Sequence, residues 1–222
     1  MFYRLFFLLF FVFTNFLYSA PQKMVAAAYK NKTIRRPVIV LDAGHGGRDQ
    51  GAKIRYPYLE EKKLTLSATL YTKKYLEQLG YKVILTRTKD YFIPLQKRAD
   101  VANSAKAELF VSIHFNSCPN KIAHGIEIYY HNSLENKNKS KNSQNLASCV
   151  LSDVIKKTNA RSRGVRSGKF CVIRETKMPA ILVEAGFLTN PQERDNIRKA
   201  AYLEKISLGI AQGVESFIKK YS

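Results

Sequence analysis

Short unbroken runs of valine, isoleucine and leucine recur between amphipathic stretches from residue 37 to the C-terminus, and this alternation restricts the possible folds more than any other feature. PVIVLD (37–42), YKVILTR (81–87), LFVSIH (109–114), GIEIYYH (125–131), KFCVI (169–173) and AILVEAG (180–186) read as strands. Between Glu61 and Leu79 the apolar residues Leu64, Ala68, Tyr71, Tyr75 and Leu79 keep helical spacing, and Gly80 stops the run. Further helices are predicted over 94–105, begun by Pro94, from about Gln144 to Lys157, and from about Ala200 to Lys219, with residues 132–142 as a polar surface loop. Apolar strands that alternate with helices predict an α/β fold, a three-layer, mostly parallel twisted sheet with helices on both faces. Chemistry in such sheets sits at the carboxyl ends of the strands.

The 222 residues suffice for one such domain, assigned to residues 37–222. A hydrophobic content of 45% excludes disorder. Cys118, Cys149 and Cys171 have no C-x-x-C spacing, which excludes a disulfide scaffold, a thiol zinc site and a redox motif. Ahead of the domain, Arg4 and the apolar run Leu5 to Phe13 read as a signal peptide over residues 1–20, cleaved after Ser19 or as late as Ala27. The run is too short to span a bilayer, and an uncleaved anchor is the competing reading. Residues 21–36 form a basic linker. The formal charge of +20 calls for an anionic partner: nucleic acid, a carboxylate-bearing polymer or an acidic membrane face. The cations are scattered along the chain and make no nucleic-acid signature, so nucleic acid is the weakest of the three.

Four residues could carry chemistry. PVIVLD runs into Asp42, Ala43, Gly44, His45, Gly46 and Gly47, where glycines let the backbone turn and bring His45 over the sheet edge. A dinucleotide loop fails on spacing, because Asp49 stands where its third glycine belongs. LFVSIH ends in His114, with Asn116 beyond it, while His124 and His131 lie in polar surroundings and read as solvated or locally bonded. Glu61 opens a helix, and Glu184 lies within the apolar run ILVEAGF. A buried carboxylate needs a cation, a metal neighbour or a proton. Two histidines, a glutamate and a further acid at strand ends suit zinc-assisted hydrolysis.

LDAGHGG with Asp49 and Gly51, EKKLTL, ADVANSAKAELFVSIHFNS and RGVRSGKFCVIRETKMPAILVEAGFLTNPQE together resemble the zinc-dependent N-acetylmuramoyl-L-alanine amidases of the bacterial cell wall, of the cell-separation type. The resemblance implies one zinc ion held by His45, Glu61 and His114, with Glu184 as the catalytic carboxylate and Asn116 and Arg174 as substrate contacts. It selects Glu61, directly before a lysine, over Glu60, which is left as surface charge. The implied reaction is attack of a zinc-activated water on the amide between the lactyl group of N-acetylmuramic acid and L-alanine. The implied partners are peptidoglycan or muropeptides in the periplasm or cell envelope, with no nucleic acid and membrane contact only through an uncleaved N-terminus. No obligate activator is expected, because the stretch from Asn116 to Arg163 has room for one strand, one loop and one helix. Rival readings are a catalytically weak peptidoglycan binder on the same fold, a nucleic-acid binder, and a penicillin-sensitive serine enzyme built on Ser216 and Lys219.

Overall fold

The apolar runs assemble into a mixed six-stranded sheet, seen in a computed structural model that describes residues 37–221. The signal peptide and linker assigned to residues 1–36 lie outside those residues. In chain order the elements are β1 (Val38–Ala43), β2 (Lys53–Ile54), β3 (Leu59–Glu60), α1 (Glu61–Gln78), β4 (Lys82–Leu85), α2 (Leu95–Ser104) and β5 (Leu109–Asn116). They continue with β6 (Ile126–Tyr130), α3 (Lys137–Thr158), β7 (Ser162–Ser167), α4 (Cys171–Arg174), β8 (Ala180–Phe187), α5 (Pro191–Ile197) and α6 (Ala200–Tyr221). The sheet order is β4-β1-β5-β8-β6-β7, and β2 pairs with β3 in a separate hairpin. The first four strands run parallel, β6 is antiparallel to β8, and β7 is parallel to β6.

The two-residue period of the strands sends alternate side chains into two cores. On one face Ile39, Leu41, Val111, Ile113, Ile181 and Val183 pack against α1, α3 and α6. On the other, Val40, Phe110, Ala180 and Leu182 meet Ala102 of α2 and Val172 and Ile173 of α4. The three layers expected from the sequence are therefore present. α3 buries a stripe of Leu146, Ala147, Val150, Leu151 and Val154 at helical spacing. Gly209 and Gly213 of α6 admit it closely, since a Cβ on Gly209 would lie 2.6 Å from the Cα of Val154.

Three expectations need correction. The stretch 169–173 is no strand: Cys171–Arg174 is a single helical turn that drops Val172 and Ile173 onto the second core. The strand of that region is β7, an edge strand whose only aliphatic side chain is Val165, so it carries little apolar signal. The polar loop of 132–142 is half helix, because α3 starts at Lys137 rather than Gln144. Its first turns bury polar groups instead of apolar ones: Asn136 caps the Lys139 amide at 2.9 Å, and Lys139 Nζ donates to the carbonyls of Ile173 (3.0 Å), Arg174 (3.1 Å) and Thr176. β2, β3 and α5 were not foreseen.

Candidate metal centre

On the second face each central strand changes from apolar to polar towards its carboxyl end: Val40 then Asp42, Phe110 then Ser112 and His114, Ala180 then Leu182 and Glu184. α2 and α4 cover the apolar part and leave the polar end to the site. Parallel register sets His114 beside Glu184, and the antiparallel β6 sets Glu127 on the other side of Glu184. One row across three strands thus carries an imidazole and two carboxylates, with strand neighbours about 4.8 Å apart.

His45 reaches this row from the turn after β1. Its φ of 61° is in the left-handed region, at a cost of roughly 1–2 kcal/mol for a residue with a side chain. Two buried guanidinium groups hold the turn. Arg87 donates to the carbonyls of Ala43 (3.0 Å) and Gly44 (2.8 Å), and Arg98 donates to those of Ala43 (2.7 Å) and His45 (2.7 Å). Arg98 also pairs with Asp42 at 2.9 Å, and the carboxylate of Asp42 accepts from Thr86 and Ser112, each at 2.7 Å. Two glycines clear the space between the site residues. A Cβ on Gly44 would lie 2.3 Å from Cε1 and 2.4 Å from Nε2 of His114, and one on Gly51 would lie 2.6 Å from both Glu61 Oε2 and His45 Cδ2.

Glu61 is the first residue of α1. Its Oε2 accepts from the Ala52 amide at 2.9 Å and its Oε1 from the Phe115 amide at 3.1 Å. The same Oε1 lies 3.0 Å from His45 Nε2 and 3.1 Å from His114 Nδ1. One donor atom from each of His45, Glu61 and His114 falls within 4.8 Å of the others, a set that could hold a metal ion. The far nitrogen of His45 meets Asp49 Oδ2 at 2.9 Å, and Asp49 is steadied in turn by the Gly51 amide at 3.1 Å. Such a carboxylate fixes the tautomer that leaves Nε2 free as a ligand. Glu60 faces elsewhere, towards the hydroxyl of Tyr58 (2.9 Å) and Lys63 (2.8 Å); at 5% exposure it is buried, not the surface charge expected.

Glu61, His45 and Glu184 are tuned apart. Burial pushes the Glu61 carboxyl up, but hydrogen bonds and charge from His114 and His45 outweigh it and hold the group well below the usual carboxylate range. Burial would lower His45, yet Glu61 and Asp49 raise it. Glu184 is raised well above an ordinary carboxylate, first by burial and then by the charges of Glu61 and Glu127. Its Oε2 is sealed from solvent and has no hydrogen-bond partner among the described residues.

Glu127 was not anticipated. It is 3% exposed and its carboxylate takes four contacts: Asn116 Nδ2 (2.8 Å) and the Tyr129 hydroxyl (3.0 Å) on Oε1, and Arg163 (2.9 Å) and Arg166 (3.1 Å) on Oε2; its strand partner is Glu184. Burial and the bond to Glu127 push the Tyr129 phenol up to about 12. Asn116 therefore joins the cluster through Glu127. Arg174 does not: its contacts are Glu175 at 2.6 Å and the Lys169 carbonyl at 3.4 Å. The imidazoles of His124 and His131 bond to the carbonyls of Ile122 and Gly168, the local bonding expected, and Ser216 donates to Asp153 at 2.8 Å on the far helix. All three cysteines are free.

A row of imidazole and carboxylate groups at the carboxyl ends of the central strands, joined by His45 and Glu61, makes a site that could hold a metal ion beside a buried acid. The family model for N-acetylmuramoyl-L-alanine amidase matches residues 39–216, and the chain belongs to that family of peptidoglycan amidases. It is 34% identical over 198 residues to the uncharacterized protein YqiI of Bacillus subtilis, covering 89% of this chain and 90% of that one. It is 32% identical over 210 residues to the N-acetylmuramoyl-L-alanine amidase LytC of the same organism, covering 93% of this chain but 41% of LytC. The crystal structure of N-acetylmuramoyl-L-alanine amidase from Clostridium difficile 630 superposes with a TM-score of 0.79 at 35% identity, covering 84% of this chain and 99% of that one. The CwlD amidase of Clostridioides difficile, solved in complex with the GerS lipoprotein, gives a TM-score of 0.77 at 27% identity, covering 83% and 99%.

Proposed function

We propose that the protein is a zinc amidase that cleaves the bond between the lactyl group of N-acetylmuramic acid and the L-alanine of the stem peptide. The observation that carries this reading is the convergence of His45 Nε2, Glu61 Oε1 and His114 Nδ1 beside a carboxylate with an unpartnered, sealed oxygen. The donor set fits zinc: two imidazoles and one carboxylate, with His45 braced by Asp49 and a position left for water or substrate. Zinc held by these three residues would supply Lewis acidity and would lower the pKa of a water towards neutrality. Glu184 accepts the proton of the water that attacks the amide carbonyl, and passes it to the nitrogen of L-alanine as the C–N bond breaks. The hydroxyl of the water stays on the lactyl carbonyl carbon, so the products are a glycan with a free lactyl carboxylate and a peptide with a free amine. A raised pKa suits the second half of that task, since a carboxylic acid must exist to protonate the leaving amine.

The intended setting is the cell envelope or periplasm, reached through the N-terminal signal sequence, and the use is wall remodelling or daughter-cell separation. The cell-wall relatives support an extracytoplasmic role. The site works without an activator in this reading. Between Asn116 and Arg163 the chain spends its length on β6 and on α3, whose buried stripe belongs to the first core rather than to the site. The lipoprotein found with CwlD belongs to that complex.

The test is made on one set of preparations, with zinc content and release of stem peptide from purified peptidoglycan measured together. Glu184→Gln should keep its zinc and lose activity by about 10² to 10⁴. His114→Ala should lose both. A Glu184→Gln protein that turns over near the wild-type rate, or one that has lost zinc while Glu61→Gln retains it, reverses the two carboxylates.

A further inference from the structure

A groove of about 350 Å³ opens between three segments that leave the metal centre. Arg55 and Tyr56 come from the β2–β3 hairpin, a few residues past Gly51; Cys118 and Lys121 come from the loop beyond His114; Thr189 and Arg194 follow Glu184. Each wall is thus anchored in a residue of the site. The lining has three cations and no carboxylate. Among the described residues, none of Arg55, Lys121 and Arg194 has an acid within ion-pair distance. Of the two acids that flank Arg194 in sequence, Glu193 spends its oxygens on the amides of Gly125 (2.8 Å) and Phe187 (2.7 Å), and Asp195 pairs with Arg198 at 3.4 Å. Arg194 donates through Nη1 to the Leu188 carbonyl at 3.2 Å, while its Nε is buried with no partner. Buried donors are rarely left unpaired in a finished site. Tyr56, 91% exposed, stands on the rim.

We propose that this groove is the subsite for the carboxylate-bearing part of the stem peptide, with Arg55, Lys121 and Arg194 as its cations. The inference rests on the amidase reading and names what that site selects. A polymer cut at an internal amide must run on past the reacting carbon, and this groove starts where the ligand-bearing segments end. Its charged groups are donors only, the complement of a carboxylate, whereas neutral sugar hydroxyls need acceptors as well. Arginine binds carboxylates with two parallel bonds, so Arg55 and Arg194 fix orientation while Lys121 adds charge.

The experiment uses two synthetic muramoyl peptides, identical except that the side and terminal carboxylates are free in one and amidated in the other. Wild type and Arg55→Gln/Lys121→Gln are compared on both; each replaced side chain is exposed on a loop and absent from the metal cluster. Wild type should show a KM about tenfold lower for the acidic peptide, as expected for a charge-assisted bond. The double variant should lose that preference with kcat held within about twofold. Equal KM values in wild type, or an undiminished preference in the variant, overturns the subsite. Calorimetry with the free acidic stem peptide separates the two readings. Binding to wild type that the double variant loses, without hydrolysis of either substrate, keeps the groove and removes the amidase; hydrolysis of both substrates at equal KM does the reverse.

Discussion

Replacing Arg98 by methionine should be among the most damaging single changes that leave every metal ligand in place. The guanidinium is 1% exposed and its partner Asp42 is fully buried. Methionine fills most of the volume and removes the charge, so Asp42 keeps the hydroxyls of Thr86 and Ser112 and the more distant charge of Arg87 but loses its ion-pair partner. Breaking one side of a buried pair costs about 3–5 kcal/mol. The lost bonds to the carbonyls of Ile93 and His45 add to this, although water at the half-open site can replace part of the latter. For a domain of this size the loss corresponds to about 10 °C in Tm. Urea melts of the zinc-free protein measure it directly. Zinc affinity, measured against a chromophoric chelator, should fall about 10-fold to 100-fold, because the carbonyl of His45 is what Arg98 holds. Asp42→Asn/Arg98→Met should recover part of the stability, since no bare charge then remains. Lys97→Met, on an exposed side chain next door, should stay within about 0.5 kcal/mol of wild type. A loss below about 1 kcal/mol for Arg98→Met would refute the idea that this pair supports the His45 turn.

The zinc-free protein should carry a pH signature from Glu184. Its folded-state pKa is raised, so the stability it contributes is fully present below the unfolded carboxylate value and is lost as pH rises through the folded one. Thermal melts should therefore show zinc-free Glu184→Gln gaining on wild type as pH goes from 4 to 8; parallel curves would contradict the burial of that carboxylate. Gly44→Ala should abolish zinc binding while far-UV dichroism stays near native, because the new methyl competes with the His114 ring. Lys139→Met, which strands three carbonyls beneath α3, should cost about 3 kcal/mol in urea melts without changing zinc affinity.

The layers of the fold were legible because burial on both faces leaves continuous apolar runs, and PVIVLD, LFVSIH and AILVEAG became the three central neighbours β1, β5 and β8. The misreadings fall where burial is not apolar or not needed. The first turns of α3 hide Lys139, Ser140 and Ser143, whose inward faces are satisfied by hydrogen bonds rather than by contact, so hydrophobic period carries no trace of them. Strand β7 lies at an edge and can be polar. KFCVI has the composition of a strand, but Val172 and Ile173 are only the two apolar residues that a single turn needs to close the second core.

The site was legible for a different reason: a carboxylate in an apolar strand is expensive, which marked Glu184. The same rule, applied to GIEIYYH, marks Glu127, and the period of two would have placed both acids on one face once β6 and β8 were known to be neighbours. What the sequence could not supply is that adjacency, which depends on β6 joining the parallel sheet in the opposite direction. Glu127 also explains why Arg163 and Arg166 belong to the RGVRS block: their charges sit on its Oε2 and allow two carboxylates to stand side by side in one row. Without those arginines the charge of Glu127 would fall more heavily on Glu184, raise it further and keep it protonated when a base is needed. The pair of arginines thus adjusts Glu184, the carboxylate proposed to carry the proton, while touching neither it nor the proposed zinc ligands.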